Sequence, residues 1–140
     1  IRGSFVLPWA AGPGSAAVEL ELDGTRVSAM FGASGGPDAM DDSRASVTLS
    51  ALLEDGRNLL VLILLPQAVI SAGRHPFHSF ETFGLVAVTD QGMFTTLGLV
   101  GDGELRFDRA RREPGAEVAG SFEAVHYPSA CLGSRASAPE

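Results

Sequence analysis

Residues 59–65 read Leu-Leu-Val-Leu-Ile-Leu-Leu, a run that contains no polar side chain. The segments around this run alternate apolar and polar residues, as strands with one buried face do. A strand that is apolar on both faces needs cover on both of them. We therefore expect one set of its side chains to face the core (Leu59, Val61, Ile63 and Leu65) and the other set to face a second covering surface (Leu60, Leu62 and Leu64).

Three different structures could cover the second set of leucines. One is intramolecular and uses residues 66–73 or the phenylalanine-containing segment 77–83. Another is a protein partner, including a second copy of the chain, because soluble monomers seldom expose a row of large apolar side chains. The last is a lipid or a small apolar ligand inside a barrel.

Alternating segments separated by turn residues recur along the whole chain. Asp23-Gly24 is a strong hairpin signal, and residues 54–57 are expected to turn one strand into the aliphatic run. About nine strands are predicted, over residues 1–8, 17–22, 25–31, 45–53, 59–65, 85–89, 93–100, 103–108 and 117–127. Because no helical pattern alternates with them, we predict an all-β antiparallel β-sandwich, with a closed β-barrel as the alternative.

The expected domain organisation is a single β domain over residues 1–127 and a flexible tail over residues 128–140. A long polar loop is expected over residues 32–43, and a short helix or irregular segment over residues 66–72. Gly3-Ser4-Phe5 is repeated as Gly120-Ser121-Phe122, a pattern that suits first and last strands lying side by side.

Residues 101–108 and 115–124 suggest a closing hairpin, in which a glycine-flanked strand and a charged loop lead into Val118-Ala119-Gly120-Ser121-Phe122. This quarter of the chain resembles secreted bacterial β-sandwich domains described as lipoproteins of unknown function. The resemblance implies a β-rich fold and an extracytoplasmic location, and it brings no catalytic residues. A lipid-attachment cysteine of such proteins would lie outside this sequence, so a membrane link is expected only through such an anchor.

Composition narrows the classes of partner. The net charge is −7 and the pI is about 4.8, which disfavours nucleic acid as a partner because that contact needs a cationic face. All ten cationic residues are arginines, a bias that points to a GC-rich source and excludes lysine chemistry. Cys131 is the single cysteine, so no internal disulfide is expected. The first residue is Ile1 and not methionine, which we interpret as a processed precursor.

Three patterns resemble catalytic or metal sites, and for each the ordinary reading is favoured. Residues 32–36 match the letters of a nucleophile elbow at Ser34, but no helix pattern follows. An acidic loop carries Asp38, Asp41 and Asp42 without a calcium-loop spacing. His75, His78 and His126 could supply zinc ligands. We expect no catalytic residue, no metal and no cofactor.

The candidate interface residues therefore come from three groups. The first is the outward set of the aliphatic run. The second is a phenylalanine series with a three-residue spacing, Phe77, Phe80 and Phe83, and the third is an arginine-rich loop with Arg109, Arg111 and Arg112. The expected function is a non-enzymatic extracytoplasmic β module that docks to a protein partner or forms part of a larger assembly. The expected partner is another protein or a second copy of the chain. A lipocalin-like barrel that binds a small apolar ligand is the alternative.

Overall fold

A computed structural model describes residues 1–22, 24–77 and 81–128. Nine strands follow one another along the chain: β1 (Arg2–Pro8), β2 (Gly14–Leu22), β3 (Thr25–Pro37), β4 (Arg44–Leu52), β5 (Asn58–Pro66), β6 (Gly73–Pro76), β7 (Phe83–Asp90), β8 (Met93–Ala110) and β9 (Glu117–Pro128). The helical structure within the described residues is a 3-10 turn over Gln67–Val69. The prediction of an all-β antiparallel fold with about nine strands is confirmed.

All nine strands belong to one hydrogen-bonded sheet in the order β6-β8-β7-β5-β4-β3-β2-β1-β9. A further pairing joins β8 to β9, so that eight strands form a ring of pairings, with β6 attached to β8. In this ring β1 and β5 lie opposite each other, because three strands separate them in either direction.

The first and last strands are direct neighbours, as the repeated tripeptide predicted. Ser4 lies opposite Ser121, and the register continues from Arg2 opposite Glu123 to Pro8 opposite Glu117. One glycine of the repeat lies where β9 closely approaches β8: a Cβ on Gly120 would lie 2.4 Å from the carbonyl oxygen of Arg106.

Four expectations about the elements need correction. The segment expected as a loop over residues 32–43 continues as β3 as far as Pro37, where Gly36 still pairs with Ser46. Residues 93–108, expected as two strands, form the single strand β8 with register shifts after Gly101 and Phe107. The short strand β6 was not expected. The predicted tail begins one residue early, because β9 ends at Pro128; residues 129–140 lie outside the described part.

The core lies inside the ring. Buried side chains from all strands except β6 form one continuous cluster, to which Trp9, Ile70 and Phe77 also belong. Trp9 follows directly after β1 and is completely buried; its backbone exchanges hydrogen bonds with the 113–116 turn through Ala116 and Gly115. Burial of apolar surface on this scale is the main stabilising contribution to the fold.

Candidate functional site

The aliphatic run forms β5 and alternates as expected. Leu59, Val61, Ile63 and Leu65 are buried in the core, with exposed fractions of 1% or less. The other three leucines point to the outside of the ring and are half-buried. Within residues 66–73, which were one of the expected covers, Ile70 is buried in the core cluster.

The structure extends the leucine row across four strands. Leu62 lies opposite Leu85 of β7, Leu85 opposite Leu99 of β8, and Leu99 opposite Tyr127 of β9. Residues directly opposite on neighbouring strands share a face of the sheet. On the next row Leu64 lies opposite Phe83. We call these residues the outer apolar face: Leu60, Leu62, Leu64, Phe83, Leu85, Leu99 and Tyr127.

Polar groups border this face on both sides. Ser46, Thr48 and Ser50 of β4 lie opposite the three leucines of β5, so a row of hydroxyl groups forms one border. On the other side the Tyr127 hydroxyl donates a hydrogen bond to the Asp102 carboxylate. This contact raises the pKa of Tyr127, because the neutral hydroxyl is needed as the donor. Tyr127 and Leu99 remain more than a third exposed.

The predicted phenylalanine series does not form a single surface. Phe77 is buried in the core, and its backbone N–H donates to the carbonyl of Gly103 at 2.9 Å. Phe83 lies on the outer apolar face, six residues further along. Phe80 lies outside the described residues. The three-residue spacing therefore did not indicate a shared face, because a strand repeats every two residues.

The three arginines are exposed, and each contacts a different neighbour. Arg109 lies within β8 rather than in the loop and forms an ion pair with Glu117 at 2.8 Å. Arg111 pairs with Glu113 at 3.4 Å, and Arg112 donates to the carbonyl of Gln67 at 3.2 Å. Their role as interface residues stays a prediction. Part of their positive charge is compensated by the glutamates that they contact.

The residues that resemble catalytic or metal sites in the sequence have a different geometry in the structure. Ser34 lies inside β3, opposite Thr48, and not at a strand-to-helix turn. Asp41 accepts hydrogen bonds from the hydroxyl and backbone N–H of Ser43 at 2.6 and 3.0 Å, which lower its pKa. Among the described residues, no group of three or more His, Cys, Asp or Glu side chains could hold a metal ion.

The two described histidines lie far apart. His75 is opposite Leu105 of β8, whereas His126 is opposite Val100. Leu105 lies opposite Phe122, four residues from His126 along β9, so about 13 Å of strand separates the two positions and both rings cannot bind one ion. His75 instead contacts the carbonyl of Ser71 at 2.8 Å and the ring of Phe107. His78 lies outside the described residues.

A surface cavity with a volume of about 1030 Å3 lies outside the ring and is lined by residues of β1, β2, β3, β6, β8 and β9. Ser4, Ala17 and Ser121 line its floor. Its charged side chains include Arg2, which binds Glu19 at 3.0 Å, and Arg106, which binds Asp108 at 3.2 Å. A cavity whose arginines are already paired offers little free charge to a ligand.

Comparison with protein-family models, curated proteins and solved structures finds no match to this chain. Within the described part of the chain, no helix has the length and apolar character needed to cross a membrane.

Proposed function

We propose that this chain is a non-enzymatic, extracytoplasmic β module that docks through its outer apolar face, and that the occupant of this face is a second copy of the chain. The observation that carries the proposal is the row from Leu62 through Leu85 and Leu99 to Tyr127, which runs across four neighbouring strands. The extracytoplasmic location is supported by the resemblance of the C-terminal hairpin.

The charge distribution favours a second copy. The outer apolar face has no charged member, although the chain as a whole has a net charge of −7. Two copies that meet through this face therefore bring uncharged side chains into contact, with the Asp102 carboxylate at the border. Two-fold dimers are the commonest symmetric assemblies, and they need a patch that is complementary to itself, which an uncharged face satisfies.

The size of the face predicts a weak dimer. With strand spacings of about 4.8 Å and residue spacings of about 3.3 Å, the face and its hydroxyl border cover roughly 400 Å2 in projection. Stable interfaces bury about 800 Å2 on each partner. The association should therefore depend on concentration over the micromolar to millimolar range.

The alternative of a barrel that binds an apolar ligand requires an interior cavity lined by side chains. Here the interior contains the continuous core cluster, and the cavity of about 1030 Å3 lies outside the ring. No observation favours this second function.

The test is the solution mass by light scattering, measured from about 10 μM to about 1 mM, a range that spans weak association. The expected result is a rise from 14.5 kDa towards twice that value. In Leu99→Asp and Leu62→Asp the charge would be buried against the partner, so we expect both variants to remain folded and monomeric. Val6→Asp is the matched control, because Val6 is 44% exposed on the opposite strand β1.

Circular dichroism and thermal unfolding must accompany these measurements, because half-buried Leu62 also contributes to stability. Leu99 is 37% exposed and gives the cleaner variant. A monomer at all concentrations would overturn the second copy as the occupant, and a folded Leu99→Asp variant with unchanged association would overturn the face itself.

A further inference from the structure

The strand β3 has a neighbour on both sides along only part of its length. On one side β2 pairs with β3 from Thr25 onward. On the other side β4 pairs with β3 only from Gly32, which lies opposite Ser50. Beyond Ser50, β4 stays paired with β5 as far as Leu52, and the chain turns back over residues 53–57. Residues 25–31 therefore have no described strand on their second side, and we call them the open β3 edge.

Backbone hydrogen-bonding groups point out of the open β3 edge. Leu22 and Thr25 pair across a two-residue connection, and the residues that flank such a connection exchange hydrogen bonds. Every second residue after Thr25 bonds to β2 in the same way, so the residues between them present their N–H and C=O groups to the open side: Arg26, Ser28 and Met30. Gly32 continues this set and is the first residue that pairs with β4. Unpaired strand edges of this kind are templates for another strand.

The core is less completely covered along the open β3 edge. Phe31 points inward next to the first residue that pairs with β4, and it is 3% exposed. Val27 and Ala29 point inward from the open part and are half-buried, although they pack against the core. Ala51 and Leu53, where β4 leaves β3, are half-buried as well. A further strand at this edge would place its inward side chains in an apolar environment, which favours apolar residues.

Two large apolar side chains are exposed on the outer surface where the two strands part. Met30 and Leu52 are each 73% exposed. Met30 lies two residues before Gly32, and Leu52 lies two residues after Ser50, the residue opposite Gly32. Because residues two apart in a strand point to the same face, both side chains point outward beside the opening. A large apolar side chain placed next to Met30 would contact both of them.

A second copy of the chain does not supply such a side chain. The two-fold pairing that uses residues 25–31 of both copies is centred on Ser28, and it places Arg26 of one copy opposite Met30 of the other. Arg26 is the one charged residue in the open β3 edge, and its guanidinium lies 3.7 Å from the Glu19 carboxylate. The chemistry of the edge therefore favours a segment of another protein.

We propose that the open β3 edge binds an extended, mainly apolar segment of a partner protein, which runs antiparallel to β3. The segment exchanges backbone hydrogen bonds with Arg26, Ser28 and Met30. It places a large apolar side chain outward opposite Met30, and apolar side chains of moderate size inward opposite Val27 and Ala29. The outer apolar face lies on β5, β7, β8 and β9, so this site is separate from it and does not depend on the proposed dimer.

The test uses the complete chain, isotopically labelled, and the capped peptide acetyl-Leu-Val-Thr-Val-Glu-amide, whose leucine faces Met30 and whose glutamate faces Arg26. We expect a dissociation constant in the micromolar to millimolar range. At saturating peptide, hydrogen exchange of the Arg26, Ser28 and Met30 amides should slow at least about tenfold, because the peptide backbone becomes their partner. A peptide with proline in place of threonine lacks the central N–H donor and should give no protection.

Two pairs of variants separate the edge from nonspecific binding. Ser28→Pro removes an N–H that points away from β2, so we expect the chain to stay folded and to bind the peptide at least about tenfold more weakly. Its matched control is Ala29→Pro, which removes a bond to β2 and should lower the Tm much further. Met30→Asp should also weaken binding, whereas Met93→Asp, at a methionine that is 69% exposed beside the β7–β8 turn, should not.

Four results would overturn the proposal. The first is no amide protection up to millimolar peptide, and the second is equal binding of the proline peptide. The third is full protection of the Ser28 and Met30 amides in the free chain, because the chain would then fill its own edge. The fourth is protection that rises with the concentration of the chain alone, which would assign the edge to a second copy. Leu99→Asp should bind the peptide unchanged, so failure of the dimer and failure of this site are distinguishable.

Discussion

At the scale of single residues, the alternation along β5 separates two kinds of leucine and isoleucine that look alike in the sequence. Ile63 is 1% exposed inside the core, whereas Leu62 next to it is half-buried on the outside. We expect Ile63→Ala to lower the free energy of unfolding by about 2–5 kcal/mol, and Leu62→Ala by less than half as much. Chemical denaturation of both variants measures the difference; equal losses would contradict the orientation of β5.

His126 should make stability depend on pH. Burial lowers its pKa below the ordinary value of 6.5, so the unfolded chain binds a proton more readily than the folded one. The contribution of the neutral ring is complete above pH 6.5 and is lost as the pH falls through the lower folded pKa. Replacing His126 by Gln should flatten this part of the profile. Urea unfolding between pH 7.5 and pH 5 tests this, and an unchanged slope in His126→Gln would contradict it.

At the scale of elements, contact between strands depends on glycine where another backbone comes close. In Gly120→Ala the new Cβ would lie 2.4 Å from the Arg106 oxygen and 3.1 Å from the Phe5 ring, so β9 would have to shift. A loss of about 1–3 kcal/mol in unfolding free energy is expected from such overpacking. Gly101→Ala in β8 is the matched control, since no atom lies within 4 Å of its Cβ position. A similar loss in both variants would show that close approach is not the cause.

The predicted number of strands is correct only because two errors in the strand prediction cancel. Two expected strands are joined in β8, and the unexpected β6 restores the count of nine. Residues 101–104 carry two glycines around Asp102, which reads as a turn, but the chain passes through them as a bulge because β9 pairs on both sides of it. Residues 73–76 contain a proline and no alternation, and they form a strand because β8 offers them an edge.

At the scale of the whole molecule, the ring of pairings depends on contacts between the two ends of the chain. β1 pairs with β9 across more than a hundred residues, at Arg2 opposite Glu123. Folds dominated by such nonlocal pairing lose much chain entropy before the contacts form, and they refold in milliseconds to seconds. The single tryptophan, Trp9, is buried beside the end of β1 and reports on this step. Stopped-flow refolding should show this slow phase, and completion within microseconds would contradict it.

The sequence by itself determined the class of the fold, which side chains of β5 face the core, and that the first and last strands are adjacent. Those properties can be recognised within a short segment or from a repeated one. A period of two places alternate side chains on opposite faces, and the two similar tripeptides suit neighbouring strands. Which strands meet was decided only by the tertiary structure, because pairing depends on register between distant segments. The outer apolar face needs Leu85, Leu99 and Tyr127 beside Leu62. This face therefore belongs to no single strand.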